Sequence, residues 1–171
     1  MFSTIRIYPA RLVFALLTIA CMVVIFFFSG DNAAKSSKKS GRVTKTAVHT
    51  FVKDYDELPP TKQNSILDKA EHIIRKLAHY SIYTLLGFLA SLTVGRRKLF
   101  SKKTLGVIVF CFLYACSDEI HQTFIPGRSG MFTDVLIDTS GALTGMIISM
   151  AVMLIAAKLM KLPPIDKTKA Q

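Results

Sequence analysis

Four carboxylates stand out in an otherwise apolar stretch. Between Thr104 and Ala157 the acids are Asp118, Glu119, Asp134 and Asp138, against the single Arg128. Ionisable groups at membrane depth are costly unless partnered, so their presence marks either a pairing or a function. The groups able to answer them lie upstream. Lys76, His79, Tyr80 and Tyr83 recur at i, i+3, i+4 and i+7, which puts them on one face of a helix. Asp134, Asp138, Gly141 and Gly145 follow the same rule, acid first and glycine deeper in. Such a set offers phosphate binding by Lys76 and Arg128 and proton transfer by His79 and the acids.

The same residues also have plainer uses. Asp134 can cap its helix or pair with Arg128, and His79 can hydrogen-bond Asp118 or Glu119. Gly141 and Gly145 form a small-xxx-small pattern that lets two helices approach closely in lipid. His79, Asp118, Glu119, His121, Asp134 and Asp138 are enough nitrogen and oxygen donors for a metal. No HExxH or comparable ligand spacing accompanies them, so no metal site is assigned. Ser117 beside Asp118 is not a recognised triad arrangement either. Nothing points to a particular cofactor.

The elements that must position these residues are set by composition. Of the 171 residues, 51% are hydrophobic, and the mean hydropathy is +0.41. That is too apolar for an ordinary soluble fold, and the apolar residues are concentrated in blocks separated by Lys and Arg. The expected fold class is all-α: an integral membrane bundle of about four transmembrane helices. The net charge of +11 does not argue for nucleic acid, because the bases flank apolar spans instead of interleaving with stacking aromatics. The three cysteines, Cys21, Cys111 and Cys116, all fall within apolar runs and form no CxxC pair. Thr18 is a poor match for a lipoprotein signal at Cys21, so a buried thiol is expected there.

The first span runs from about Leu12 to Phe28 and stops at Ser29-Gly30-Asp31-Asn32. Its length favours a retained helix, ending a first segment over 1–29, over a cleaved signal peptide. A polar, basic connector over 30–60 follows, with Lys35, Lys38, Lys39, Arg42 and Lys45 before Pro59-Pro60. It is expected to be a flexible loop lying against headgroups. Over 61–161 a core of three further spans is expected. An interfacial amphipathic helix carrying Ile66, Ala70, Ile73, Ile74 and Leu77 feeds directly into the second span, from about Leu77 to Val94. The third span runs from about Leu105 to Ile120 and the fourth from about Asp134 to Met160, with a Pro126-Gly127 turn between them. Residues 162–171 form a tail.

Orientation follows from basic residues in the short segments. The amino terminus, the second connector (Arg96, Arg97, Lys98, Lys102, Lys103) and the carboxyl-terminal segment together hold eleven bases, against Arg128 alone in the opposite short loop. Long connectors weigh little in this rule, so both termini are expected to be cytoplasmic in the cell membrane.

The order of K-x-x-H-x-x-x-Y from Lys76, S-D-E-x-x-Q from Ser117, P-G-R from Pro126 and D-x-x-x-D from Asp134 resembles the VanZ-like family of bacterial membrane proteins. The resemblance covers about Ile25 to Ile148. The connector is longer and more basic than the family pattern. What the resemblance implies is a multi-pass cytoplasmic-membrane protein, with a founding member linked to teicoplanin resistance and no known reaction. With it, His79, Asp118, Glu119, Asp134 and Asp138 are the candidate catalytic residues, and Lys76, Tyr83, Gln122 and Arg128 the candidate binding residues. Two readings stand: a pocket at the outer leaflet that binds or modifies a phospholipid or lipid-linked cell-wall precursor headgroup, or a structural membrane protein whose polar residues are interhelical bonds. A proton-coupled transporter ranks below both, because internal repeats and midplane charges are not evident.

Overall fold

Each apolar run becomes one long helix, because a chain in hydrocarbon must satisfy its own backbone polar groups and a helix does so within one segment. The computed structural model describes residues 2–31 and 33–161. The tail over 162–171 lies outside the described residues. Among these residues the elements are α1 (Phe2–Ser29), α2 (Ala33–Phe51), one 3₁₀ turn (Tyr55–Glu57), α3 (Pro60–Val94), α4 (Lys102–Thr123) and α5 (Phe132–Leu159). Four helices are long and apolar enough to cross a membrane: Pro9–Ser29 within α1, and α3, α4 and α5. Leu12, Leu16, Phe27, Leu105, Ile120, Leu136 and Ile155 are exposed, as side chains facing lipid tails should be. Ile25, Tyr83, Leu86, Cys111, Ala115 and Met146 are buried where the helices meet. All three cysteines are free.

At 35 residues α3 is about 52 Å long on a rise of about 1.5 Å per residue, well beyond a hydrocarbon core of about 30 Å. Its first turns therefore belong to the interface, where the amphipathic pattern places them. Pro60 at the start needs no backbone donor, and Gly95 ends the helix with φ 81°. The Pro126-Gly127 turn is closed by Arg128 N–H donating to the Ile125 carbonyl at 3.1 Å, with Gly127 at φ 77°. That positive φ is what a type II turn requires at its second central residue.

The connector corrects the expectation of a flexible loop. Its Ala33–Phe51 segment is helical, and α2 packs on α3. Thr44, Ala47 and Val48 recur at helical spacing, and Thr44 and Val48 are buried. The ring of His49 meets the buried Tyr55 edge-on at 5.1 Å, and the Tyr55 hydroxyl donates to the Gln63 carbonyl at 3.4 Å. The basic composition hid a narrow apolar stripe that α3 supplies a surface for.

The most extensive pairing is α3 with α5, which run in the same direction. A Cβ on Gly145 would collide with the Thr84 carbonyl, one on Gly87 with the Ala142 backbone, and one on Gly141 with the Tyr80 carbonyl. At the end away from the acids, Ser149 Oγ donates to Ser91 Oγ at 2.8 Å. There the buried Arg97 donates to the Ser91 and Gly95 carbonyls at 3.0 and 2.9 Å and to Thr104 Oγ1 at 3.1 Å. Its guanidinium caps α3 and ties it to the start of α4. Burial pulls its pKa below the ordinary arginine value. On the other side of this loop, Ser101 Oγ accepts from Thr104 N–H at 3.2 Å and caps α4.

Gly145→Ala is expected to lower the thermal midpoint of the detergent-solubilised protein, at a cost of about 1–3 kcal/mol for forcing two backbones apart. Gly106→Ala, where a Cβ meets nothing within 4 Å, is expected to match the wild type or exceed it. Equal midpoints for both variants would refute backbone contact between α3 and α5.

Candidate functional site

The polar residues gather at the end of the bundle where α1 and α4 finish and where α5 begins, beside the middle of α3. Lys76 Nζ donates to Asp134 Oδ1 at 2.7 Å, and His79 Nδ1 stands 3.7 Å from Asp138 Oδ2. One helical turn separates the members of each pair along their helices, so parallel α3 and α5 match them rung for rung. From α4, Glu119 Oε2 accepts from the Met131 N–H at 2.8 Å and Oε1 accepts from Gln122 Nε2 at 3.1 Å. Gln122 Oε1 in turn accepts from Arg128 Nη1 at 3.0 Å. One amide thus holds an acid and a guanidinium in place. Asp118 Oδ2 accepts from Ser29 Oγ at 2.8 Å and from Gln122 Nε2 at 3.4 Å, which fastens the end of α1 to the end of α4.

These groups surround a cavity of about 160 Å³. Lys76, His79, Glu119, Gln122, Arg128, Asp134 and Asp138 line it, together with His72, Arg75 and Met131. Of the sequence candidates, Asp118 and Tyr83 lie behind the lining, both buried. Tyr80 shares their helix face but turns to Thr144, with the two hydroxyls 2.8 Å apart. Asp134 pairs with Lys76 and does not cap α5, whose start has no side-chain cap.

Several contributors escaped the sequence reading. Arg75, which no motif singles out, lines the cavity and ion-pairs with Glu71 at 2.8 Å. Ser29 read as part of a turn. The Met131 amide has no side-chain signature at all. A helix-periodicity plot that marked Arg75 as adjacent to Lys76 at the interface could have found the first; nothing in the sequence pairs Ser29 with Asp118.

The arginine side of the cavity is suited to an anion. Burial first, and then the charge of nearby Arg75, pull the Arg128 guanidinium's pKa below its ordinary value, although it stays protonated at physiological pH. The Nε groups of Arg75 and Arg128 are buried without a hydrogen-bond partner. Donors of this kind are satisfied by an oxyanion such as a phosphate or carboxylate.

His79, Asp118 and Asp138 form a second, deeper grouping: one donor atom from each lies within 4.8 Å of the others. They come from three different helices, so no linear spacing could announce them.

Fold and site together define a multi-pass α-helical membrane protein with a charged cavity at one end of its bundle. The chain belongs to the VanZ/LLP1 family, whose family model matches residues 14–155. The match reaches into all four spans and includes every residue lining the charged cavity. No curated protein and no solved structure matches the chain.

Gln122→Glu is expected to destabilise the protein by about 1–3 kcal/mol, because it removes a buried donor and adds a third carboxylate beside Glu119 and Asp118. The thermal midpoint in detergent reads this, and an unchanged midpoint would refute the bridging role of Gln122.

Proposed function

We propose that this protein binds a phosphate-bearing lipid of the cell envelope at the outer leaflet, with the headgroup in the charged cavity and the chains in an adjoining apolar one. The observation that carries this reading is a shared wall. A cavity of about 460 Å³, lined by Ile25, Phe28, Val43, Ile74, Ala78 and Ile82, has Arg75, His79 and Arg128 among its lining residues. The same three residues line the charged cavity. An amphiphile whose anionic group meets the guanidiniums and whose hydrocarbon lies against the apolar wall satisfies both. A phospholipid or a lipid-linked cell-wall precursor has this chemistry.

His79 and the neighbouring acids are placed to exchange protons with such a headgroup, which keeps modification open beside binding. The interhelical pairs Tyr80–Thr144 and Lys76–Asp134 favour the structural reading for part of the set. Their loss should lower protein abundance, whereas loss of Arg128 should leave it unchanged. Likeness to VanZ-like proteins extends the proposal to teicoplanin. A protein that holds a lipid-linked precursor alters what the antibiotic meets, and expression should raise teicoplanin tolerance in a manner that Arg128→Ala removes. Lipid and precursor profiles of deletion and overexpression strains separate turnover from binding.

In native mass spectrometry and lipid-binding titrations, the wild type is expected to prefer phosphatidylglycerol or a polyprenyl diphosphate over diacylglycerol. Arg75→Ala and Arg128→Ala should each weaken that binding about tenfold or more, since a hydrogen bond to a charged group contributes about 1.5–3 kcal/mol. Equal affinity for charged and uncharged lipids in all three proteins would refute the proposal.

The scarcity of bases in the Arg128 loop, against the many around Arg97, supports an external cavity. In a cysteine-free background, Ser129→Cys is expected to react with a membrane-impermeant maleimide on intact cells, and Lys103→Cys only after lysis. The opposite pattern would put the cavity in the cytoplasm.

A further inference from the structure

The floor of the charged cavity holds a chemical imbalance that a lipid headgroup does not resolve. Asp138 is 1% exposed, and neither of its carboxylate oxygens has a hydrogen-bond partner. The nearest base, His79 Nδ1, stops at 3.7 Å, beyond hydrogen-bonding distance. Asp118, also buried, contributes a second carboxylate to the same grouping. The hydroxyl of Tyr83, a residue 0% exposed, is buried there without a hydrogen-bond partner as well. Lys76, the nearest lysine on α3, is already engaged by Asp134, and Arg128 is directed to Gln122. Two carboxylates removed from water this thoroughly call for a positive charge between them.

We propose that His79, Asp118 and Asp138 bind one divalent transition-metal ion, with zinc the best match to an imidazole and two carboxylates. Three protein donors and one exchangeable position are the pattern of a zinc site that works on a ligand instead of holding a fold together. Around a tetrahedral zinc with ligands at about 2.0 Å, neighbouring donors stand about 3.3 Å apart. Donors that already lie within 4.8 Å of one another need to close by at most about 1.5 Å to reach that spacing. The surroundings resemble those that orient metal ligands elsewhere: Ser29 and Gln122 both donate to Asp118 Oδ2 and so fix the carboxylate's orientation. The fourth position is left to water or to an oxygen of the cavity's ligand, with the Tyr83 hydroxyl at hand as a donor. The proposal does not depend on a lipid being that ligand.

The test is elemental analysis of the full-length protein, extracted in detergent without chelator and desalted, for zinc, manganese, iron, nickel and copper. One metal ion per chain is expected. EDTA should lower the thermal midpoint, and added Zn²⁺ should restore it. Asp138→Asn and His79→Ala should lose the metal, whereas Arg128→Ala should keep it while losing lipid affinity. A wild-type protein that carries no metal above buffer, both as purified and after incubation with Zn²⁺ or Mn²⁺, overturns the proposal. So does an Asp138→Asn protein with full metal content. Should His79→Ala fail to fold, the wild-type and Asp138→Asn measurements still decide. Lipid binding retained by a metal-free wild type would leave the headgroup reading standing alone.

Discussion

Backbone contact between α3 and α5 is the constraint on which the rest of the structure depends. Glycine at 87, 141 and 145 removes the side chains that would hold the helices apart, and the two then lie in register over several turns. Lys76 meets Asp134, His79 meets Asp138, Tyr80 meets Gly141 and Thr144, Thr84 meets Gly145, and Ser91 meets Ser149. In lipid there is no hydrophobic gain from pressing one apolar helix on another, so close packing and interhelical hydrogen bonds must hold the pair. The glycines supply the first and the flanking polar residues the second. A helix pair without those glycines would separate the pairs at its charged end.

The two ends of the bundle solve the burial of charge in opposite ways. Around Arg97 a single guanidinium is satisfied by carbonyls and hydroxyls, with both carbonyl partners at the end of α3. It neutralises orphan acceptors and the negative end of a helix dipole. At the other end, Glu119, Asp134 and Asp138 meet Arg75, Lys76, His79 and Arg128 around a cavity of about 160 Å³, and the matching is incomplete. One end is a clamp and the other is a container.

The spans were legible in the sequence because an apolar run of about 20 residues has few other uses. The convergence of the polar residues was legible as well, since i, i+3, i+4 and i+7 spacing names a face before any partner is known. Which partner each would take was not. Asp134 to Lys76 and His79 to Asp138 depend on the register of α3 against α5, a property of two segments together. The helical connector was missed for a different reason: its lysines dominate composition, while Thr44, Ala47 and Val48 make a stripe too narrow to be stable unless α3 is there to cover it. Arg75 and Arg97 carry the same letter as any surface base, and only the burial of Arg97 and of the Arg75 Nε distinguishes them.

Satisfaction of hydrogen bonds sorts the polar residues into structure and site. Ser91–Ser149 and Tyr80–Thr144 are mutually satisfied pairs, and such pairs ask for nothing further. His121 buries an unpartnered Nδ1 but stacks its ring on Phe26 at 4.4 Å, a packing role. The Asp138 carboxylate, the Tyr83 hydroxyl and the Nε groups of Arg75 and Arg128 are different. A buried polar group left unmatched costs free energy, and native proteins retain few of them. Three of these four residues line or floor one cavity, and Tyr83 stands directly behind it. The unmet donors face where an anion would sit, and the unmet acceptors lie where a cation would. That separation of opposite demands within one small space is difficult to explain as interhelical adhesive, which would have joined them to each other.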